Sequence, residues 1–161
     1  MIAELIDLLR AKRLRVATAE SCTGGMVAAS LTDIAGSSDV FERGFVTYAN
    51  EAKTELLGVP ADLIARTGAV SQEVAAQMAE GALAHSHADL AVSITGIAGP
   101  GGGSAEKPVG TVWFGVATRG NRPATHHRIF AGDRASVRSQ ARDFALTLLE
   151  SSAREVDIRP Q

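Results

Sequence analysis

The 161-residue sequence predicts an α/β fold in which helices pack on a mixed β-sheet. Three observations carry this reading. Runs with a helical period of 3.6 alternate with short β-branched runs along the whole chain. Two late strand-like runs are joined only by Arg119-Gly120-Asn121-Arg122-Pro123, too short for a crossover, so that pair must be antiparallel while helix-linked strands run parallel. No internal repeat, low-complexity segment or linker interrupts the pattern, so one domain is expected over residues 1–161, with its core from about 5 to 152.

Each element follows from local signals. Ile2, Leu5, Ile6 and Leu9 fall at helical spacing and predict a helix from about Ile2 to Arg13. A short strand over Arg15 to Ala19 leads into a second helix. That helix is expected to start near Cys22–Gly24, to run through Val27, Leu31 and Ile34, and to break at Gly36-Ser37-Ser38. Gly44 to Tyr48 reads as a strand, and Asn50 as the cap of a helix that carries Lys53 and stops at Gly58 and Pro60. A short helical turn around Leu63 ends at Gly68. Ser71 caps a longer helix with Val74, Ala75, Met78 and Ala82 inward. Leu90 to Thr95 is a buried strand, Gly96 to Pro108 a glycine-rich loop, and Val109–Thr118 and Thr125–Ala131 the antiparallel pair. Asp133 caps the last helix, with Val137, Ala141, Phe144, Ala145, Leu148 and Leu149 on one face, and a frayed tail follows from about Glu155.

Composition narrows the function. Hydrophobic residues make up 45% and charged residues 21%, which excludes a disordered chain, and at this length roughly 70% of the unfolded surface is buried. Only 4% of residues are aromatic, so the core rests on Ala, Val, Leu and Ile. The net charge of -2 gives no bulk signal for nucleic acid. A single cysteine, Cys22, excludes an internal disulfide and fits a reducing compartment. The acidic N-terminus is no signal peptide and no apolar run reaches membrane length, so a cytoplasmic protein without membrane contact is expected.

The 16 glycines concentrate at places where strands end. Ala19-Glu20-Ser21-Cys22-Thr23-Gly24-Gly25 sits where a strand turns into a helix, so free N–H groups of the first helical turn are expected to face a crevice, with Ser21 or Thr23 supplying a hydroxyl. The plainer alternative is a helix cap with packing glycines. Lys53 lies near a helix N-terminus, against the macrodipole, and a lysine desolvated in a cleft can serve as base for a serine; a solvated surface lysine is the rival. Thr95-Gly96-Ile97-Ala98-Gly99-Pro100-Gly101-Gly102-Gly103 follows a buried strand, where α/β sheets bind ligands, yet it matches neither standard phosphate-loop pattern. Ser104-Ala105-Glu106-Lys107 has the S-x-x-K spacing of a serine–lysine pair but lacks the helix that spacing needs. His85/His87 and His126/His127 have no clustered partners for a metal. Arg134 and Arg138, one helical turn apart, could each reach a phosphate or carboxylate.

These stretches together resemble the C-terminal domain of the CinA (competence-damage inducible) family, the nicotinamide mononucleotide amidohydrolases. The blocks run in order: Thr18 to Gly25, Gly36 to Lys53, Gly68 to Gly81, Thr95 to Gly103 and Lys107 to Thr111, then Gly132-Asp133-Arg134 and Arg138. The resemblance implies a three-layer α/β/α sandwich with a mixed sheet, in the stand-alone form that lacks the larger members' N-terminal domain. It implies hydrolysis of the nicotinamide carboxamide to nicotinic acid mononucleotide and ammonia, with Ser21 as nucleophile, Lys53 as base and Tyr48 as proton relay or holder. Substrate contacts are expected from Thr23, Gly24, Gly25, Thr95, Gly96, Ile97, Ala98, Gly99 and Arg138, with Arg134 an alternative for the 5′-phosphate. Glu20 is an acid that could face the pyridinium. No cofactor or metal is called for, the partner is a small mononucleotide, and the resemblance suggests a homo-oligomer. A nucleotide-binding or regulatory module without turnover is the competing reading.

Overall fold

The computed structural model describes residues 2–161. Its elements run α1 (Ile2–Lys12), β1 (Val16–Glu20), α2 (Met26–Thr32), β2 (Phe41–Val46), α3 (Asn50–Leu57), α4 (Ala61–Thr67), α5 (Gln72–Ala84), β3 (Leu90–Gly96), β4 (Thr111–Thr118), β5 (Ala124–Ile129) and α6 (Arg134–Glu155), with a 3-10 turn at Ser37–Asp39. The sheet order is β2-β1-β3-β4-β5. β1 is parallel to both neighbours, while β3–β4 and β4–β5 are antiparallel. The expected antiparallel pair is present. A second one precedes it because the glycine-rich loop returns the chain without a helix.

Alternation along the strands gives the two faces different chemistry. Val16, Val92, Ile94, Val112, Phe114 and Val116 pack under α1, α2 and α6. Phe114 meets Phe144 at 4.8 Å and Phe130 at 6.3 Å between ring centres, and with Phe41 four of the five phenylalanines serve this one layer. The opposite face carries Ala17, Ala19, Ala91, Ser93, Gly115 and Ala117 beneath α5. Small side chains let α5 come close: Ser93 Oγ donates to the Ala75 carbonyl at 2.6 Å, and a Cβ on Gly115 would collide with that carbonyl. The three-layer α/β/α arrangement follows.

Connections leave β1 and β2 toward opposite faces, β1 to α2 and β2 to α3. Adjacent strands whose exits diverge leave a crevice at their carboxyl ends, and this is where an α/β sheet binds its ligand.

Several boundaries differ from the sequence reading. α2 starts at Met26 rather than near Cys22–Gly24, because Gly24 and Gly25 both take positive φ (59° and 108°) and form a turn ahead of it. β2 begins at Phe41, and Thr47 and Tyr48 lie beyond its end. Asn50 is the first residue of α3 and not its cap; Ala49 stands at the cap position without a side-chain bond. Ser71 and Asp133 do cap their helices, accepting from Val74 N–H and Ser136 N–H. α1 closes one residue early, with Arg13 at φ 58° and Leu14 N–H bonded to Leu9 O in a Schellman turn. The tail after Glu155 is docked: Arg159 N–H donates to Lys12 O, and its guanidinium pairs with Asp89.

Gly115→Ala is expected to cost about 1–3 kcal/mol by overpacking, a fall in melting temperature of roughly 2–12 °C at this chain length. Calorimetry checks it; an unchanged melting temperature would mean that the close approach of α5 is not set by this glycine.

Candidate active site

Lys53 is the largest fully buried side chain, 1% exposed, although it carries an amine. Long side chains on a helix lean toward its N-terminus, and this brings Nζ back to the end of β2. There it lies 2.8 Å from Thr47 O, 3.4 Å from Tyr48 O and 3.1 Å from Ser21 Oγ. Burial pulls its pKa below the ordinary lysine value, only partly opposed by Cys22 and Glu51. A lowered lysine pKa enlarges the neutral fraction, which can accept a proton from a hydroxyl.

Ser21 continues the line of β1, its N–H donating to Ile94 O at 2.9 Å. The turn that follows is clamped from two sides. Glu20, 0% exposed, accepts Thr23 Oγ1–H at 2.6 Å and the N–H groups of Val27 and Ala28 at 2.9 and 3.1 Å. Arg138, from α6, donates to the carbonyls of Cys22 and Thr23 at 3.0 and 3.4 Å. The first turn of α2 therefore already holds its anion, and its N–H groups do not face the crevice as the sequence suggested. Cys22 beside the serine is a thiol at neutral pH, since burial pushes it up to about 11. The hydroxyl, not the thiol, is the group paired with the amine.

A cleft of about 290 Å³ opens over this pair. Ser21, Cys22, Tyr48, Asn50 and Lys53 form one side; Thr95 to Gly99 with Gly101 and Gly102 form another; Ala69 and Val70 complete it, and Arg134 stands at the rim. Thr95 Oγ1 donates to Ala69 O at 2.8 Å, joining two walls. Arg134 donates to Gly99 O at 2.8 Å and to the Tyr48 hydroxyl at 2.9 Å. A larger cleft of about 520 Å³ lies at the opposite ends of the strands under the C-terminal tail, where Asp89 and Arg159 pair with each other.

The structure thus brings Ser21, Lys53, Thr95, Gly96, Ile97, Ala98 and Gly99 together. Tyr48 is 60% exposed, and its phenol pairs with Arg134; it meets Lys53 through its carbonyl, so the phenol is not placed as a relay between serine and lysine. Thr23, Gly24, Gly25 and Arg138 lie behind Ser21, outside the cleft lining, and Arg134 rather than Arg138 reaches the cleft. Glu20 is committed to its three donors and is not aimed at a ligand. Ala69 and Val70 escaped the sequence reading because apolar residues after a helix carry no chemical signal. Among the described residues, no group of three or more His, Cys, Asp or Glu could share a metal, and no helix is long and apolar enough to cross a membrane.

A serine hydroxyl beside a buried lysine amine thus lies in a cleft at the carboxyl ends of an α/β sheet. The chain belongs to the CinA C-terminal domain family, whose model matches residues 1–153. It is 58% identical over 141 residues to the nicotinamide-nucleotide amidohydrolase PncC of Escherichia coli, spanning 88% of this chain and 86% of that one. A CinA-like protein of Akkermansia muciniphila is 54% identical over 143 residues, 88% of this chain but 34% of that longer one. Among solved structures, the competence/damage inducible protein CihA from Agrobacterium tumefaciens superposes with a TM-score of 0.90 at 48% identity, covering 93% of this chain and 92% of that one.

Glu20→Gln replaces one of two accepting oxygens with a donor facing N–H groups. A loss of about 2–4 kcal/mol is expected, roughly 4–16 °C in melting temperature, by thermal unfolding. Retention of wild-type stability would show that the clamp is not what holds the turn.

Proposed function

We propose that this chain hydrolyses the carboxamide of nicotinamide mononucleotide, giving nicotinic acid mononucleotide and ammonia. The carrying observation is the 3.1 Å pairing of Ser21 Oγ with the buried Lys53 amine inside a glycine-walled cleft. The identity with a relative named for this activity supplies the substrate.

Neutral Lys53 takes the proton as Ser21 Oγ attacks the carboxamide carbon. Collapse of the tetrahedral intermediate breaks the C–N bond, and the Lys53 ammonium returns the proton so that ammonia leaves. Water, deprotonated by the same amine, then releases the acid and restores Ser21. The oxyanion needs donors that are not already engaged. Gly24, Met26, Val27, Ala28 and Ile97 have given their N–H groups to protein acceptors. Ala98 and Gly99, cleft-lining and absent from those pairings among the described residues, are the donors proposed. Arg134 at the rim is the proposed partner of the 5′-phosphate, while Arg138 positions the serine turn. Tyr48 shares the rim and holds Arg134. A cytoplasmic location and a homo-oligomeric state belong to this reading through the family likeness.

A binding module without turnover has no use for a desolvated amine beside a serine, and the enzyme reading is favoured on that ground. Ammonia release from nicotinamide mononucleotide by purified protein tests it. Ser21→Ala and Lys53→Ala are each expected to lower kcat by about 10²–10⁴-fold. In the wild type, kcat/KM should rise with pH on its acid limb, because the base must be neutral and burial lowers its pKa. No turnover by the wild type, or near-normal turnover by either variant, would overturn the assignment.

A further inference from the structure

The S-x-x-K stretch, Ser104 to Lys107, is left unexplained by the chemistry above, and the structure gives it a different task. Lys107 is not among the residues that line the cleft over Ser21. Its Nζ donates to Thr67 O at 2.7 Å, the carbonyl at the C-terminus of α4, where a cation meets both an unpaired carbonyl and the negative end of the helix. The ammonium is seated against Gly68: a Cβ there would stand 2.9 Å from Nζ.

Both ends of this contact are fixed. On the loop side, Lys107 N–H donates to Ser104 Oγ at 3.0 Å and Lys107 O accepts Ser104 N–H at 2.8 Å, a closed turn that explains the serine's spacing from the lysine. On the helix side, Ser71 Oγ donates to Gly68 O at 2.9 Å and Thr67 Oγ1 pairs with Ser71 Oγ at 3.0 Å, tying residues 67 to 71 to the start of α5. Between these anchors lie two walls of the cleft: Gly99, Gly101 and Gly102 on the loop, Ala69 and Val70 after Gly68. Arg134 holds the loop through Gly99 at one side, and Lys107 holds it at the other. Between them Gly101 is open, with nothing within 4 Å of where its Cβ would be, while Gly103 is packed against Val109.

The geometry assigns Lys107 as a positioning residue that sets the distance between the glycine loop and the Ala69–Val70 wall, and thereby the affinity for the substrate without touching the reacting atoms. This rests on the amidohydrolase reading for its substrate but not for its structural content. Losing one charge-assisted bond should release the loop while leaving the Ser21–Lys53 pair in place.

Two measurements on the full chain test it. In steady-state ammonia release from nicotinamide mononucleotide, Lys107→Met is expected to raise KM about tenfold or more while kcat stays within about threefold. Lys107→Arg, which keeps a cationic donor for Thr67 O, should recover most of the loss. Without any substrate, amide hydrogen exchange over residues 99–107 and 68–70 should be faster in Lys107→Met than in wild type, with β1 and α5 unchanged. A fall in kcat at unchanged KM, a Lys107→Arg variant no better than Lys107→Met, or unaltered exchange in both segments would overturn the proposal. If wild type shows no ammonia release, the substrate assignment fails alone, and the exchange comparison still decides the role of Lys107.

Discussion

The buried carboxylate of Glu20 is the constraint on which the rest of the site depends. It ends β1, and its oxygens gather a hydroxyl and two backbone N–H groups from the next eight residues. A bare carboxylate in that position would be costly, and only the full set of donors makes it tolerable. The same set dictates where α2 starts and how sharply the chain must turn between strand and helix. Ser21 is held in that turn, with Arg138 gripping the Cys22 and Thr23 carbonyls from the far side. The proposed nucleophile is thus held by groups that lie outside the cleft lining.

Lys53 represents the opposite arrangement, a group whose burial destabilises its charged form. Three oxygens around Nζ do not replace full hydration, and the resulting bias toward the neutral amine is what a general base needs. The fold bears this through its other layers: the small-residue face beneath α5 and the aromatic cluster under α6 supply burial elsewhere. The cleft sits where β1 and β2 send their connections to opposite faces, so topology creates the opening and local chemistry arms it.

Much of this was legible in the sequence, for identifiable reasons. Hydrophobic periodicity, β-branched runs and turn residues located the helices and strands of the described residues, and Ser71 and Asp133 announced their caps because that chemistry is local. Ser21 and Lys53 stood out as a hydroxyl in a strand-to-helix junction and a lysine set against the helix dipole. Other features depend on contacts distant in sequence. The choice between Arg134 and Arg138 turns on which carbonyls each reaches, 35 residues away at Gly99 or 116 away at Cys22. The late start of α2 reflects Glu20 capping a helix seven residues downstream, a pairing that no short motif encodes. Tyr48 could be placed near Lys53, but whether its phenol or its carbonyl faced the amine was decided only by the path of the chain after β2.

The central claim is that burial biases Lys53 toward the neutral amine, the form the proposed base for Ser21 must take. The chain has three lysines, Lys12, Lys53 and Lys107, so each can be followed separately by NMR with ¹³Cε-labelled lysine, the Lys53 signal being assigned from its absence in Lys53→Met. Titration from pH 5 to 11 is predicted to show the Lys53 signal shifting at a pH below the ordinary lysine value of 10.5. A Lys53 signal that titrates at or above the ordinary value would contradict the account.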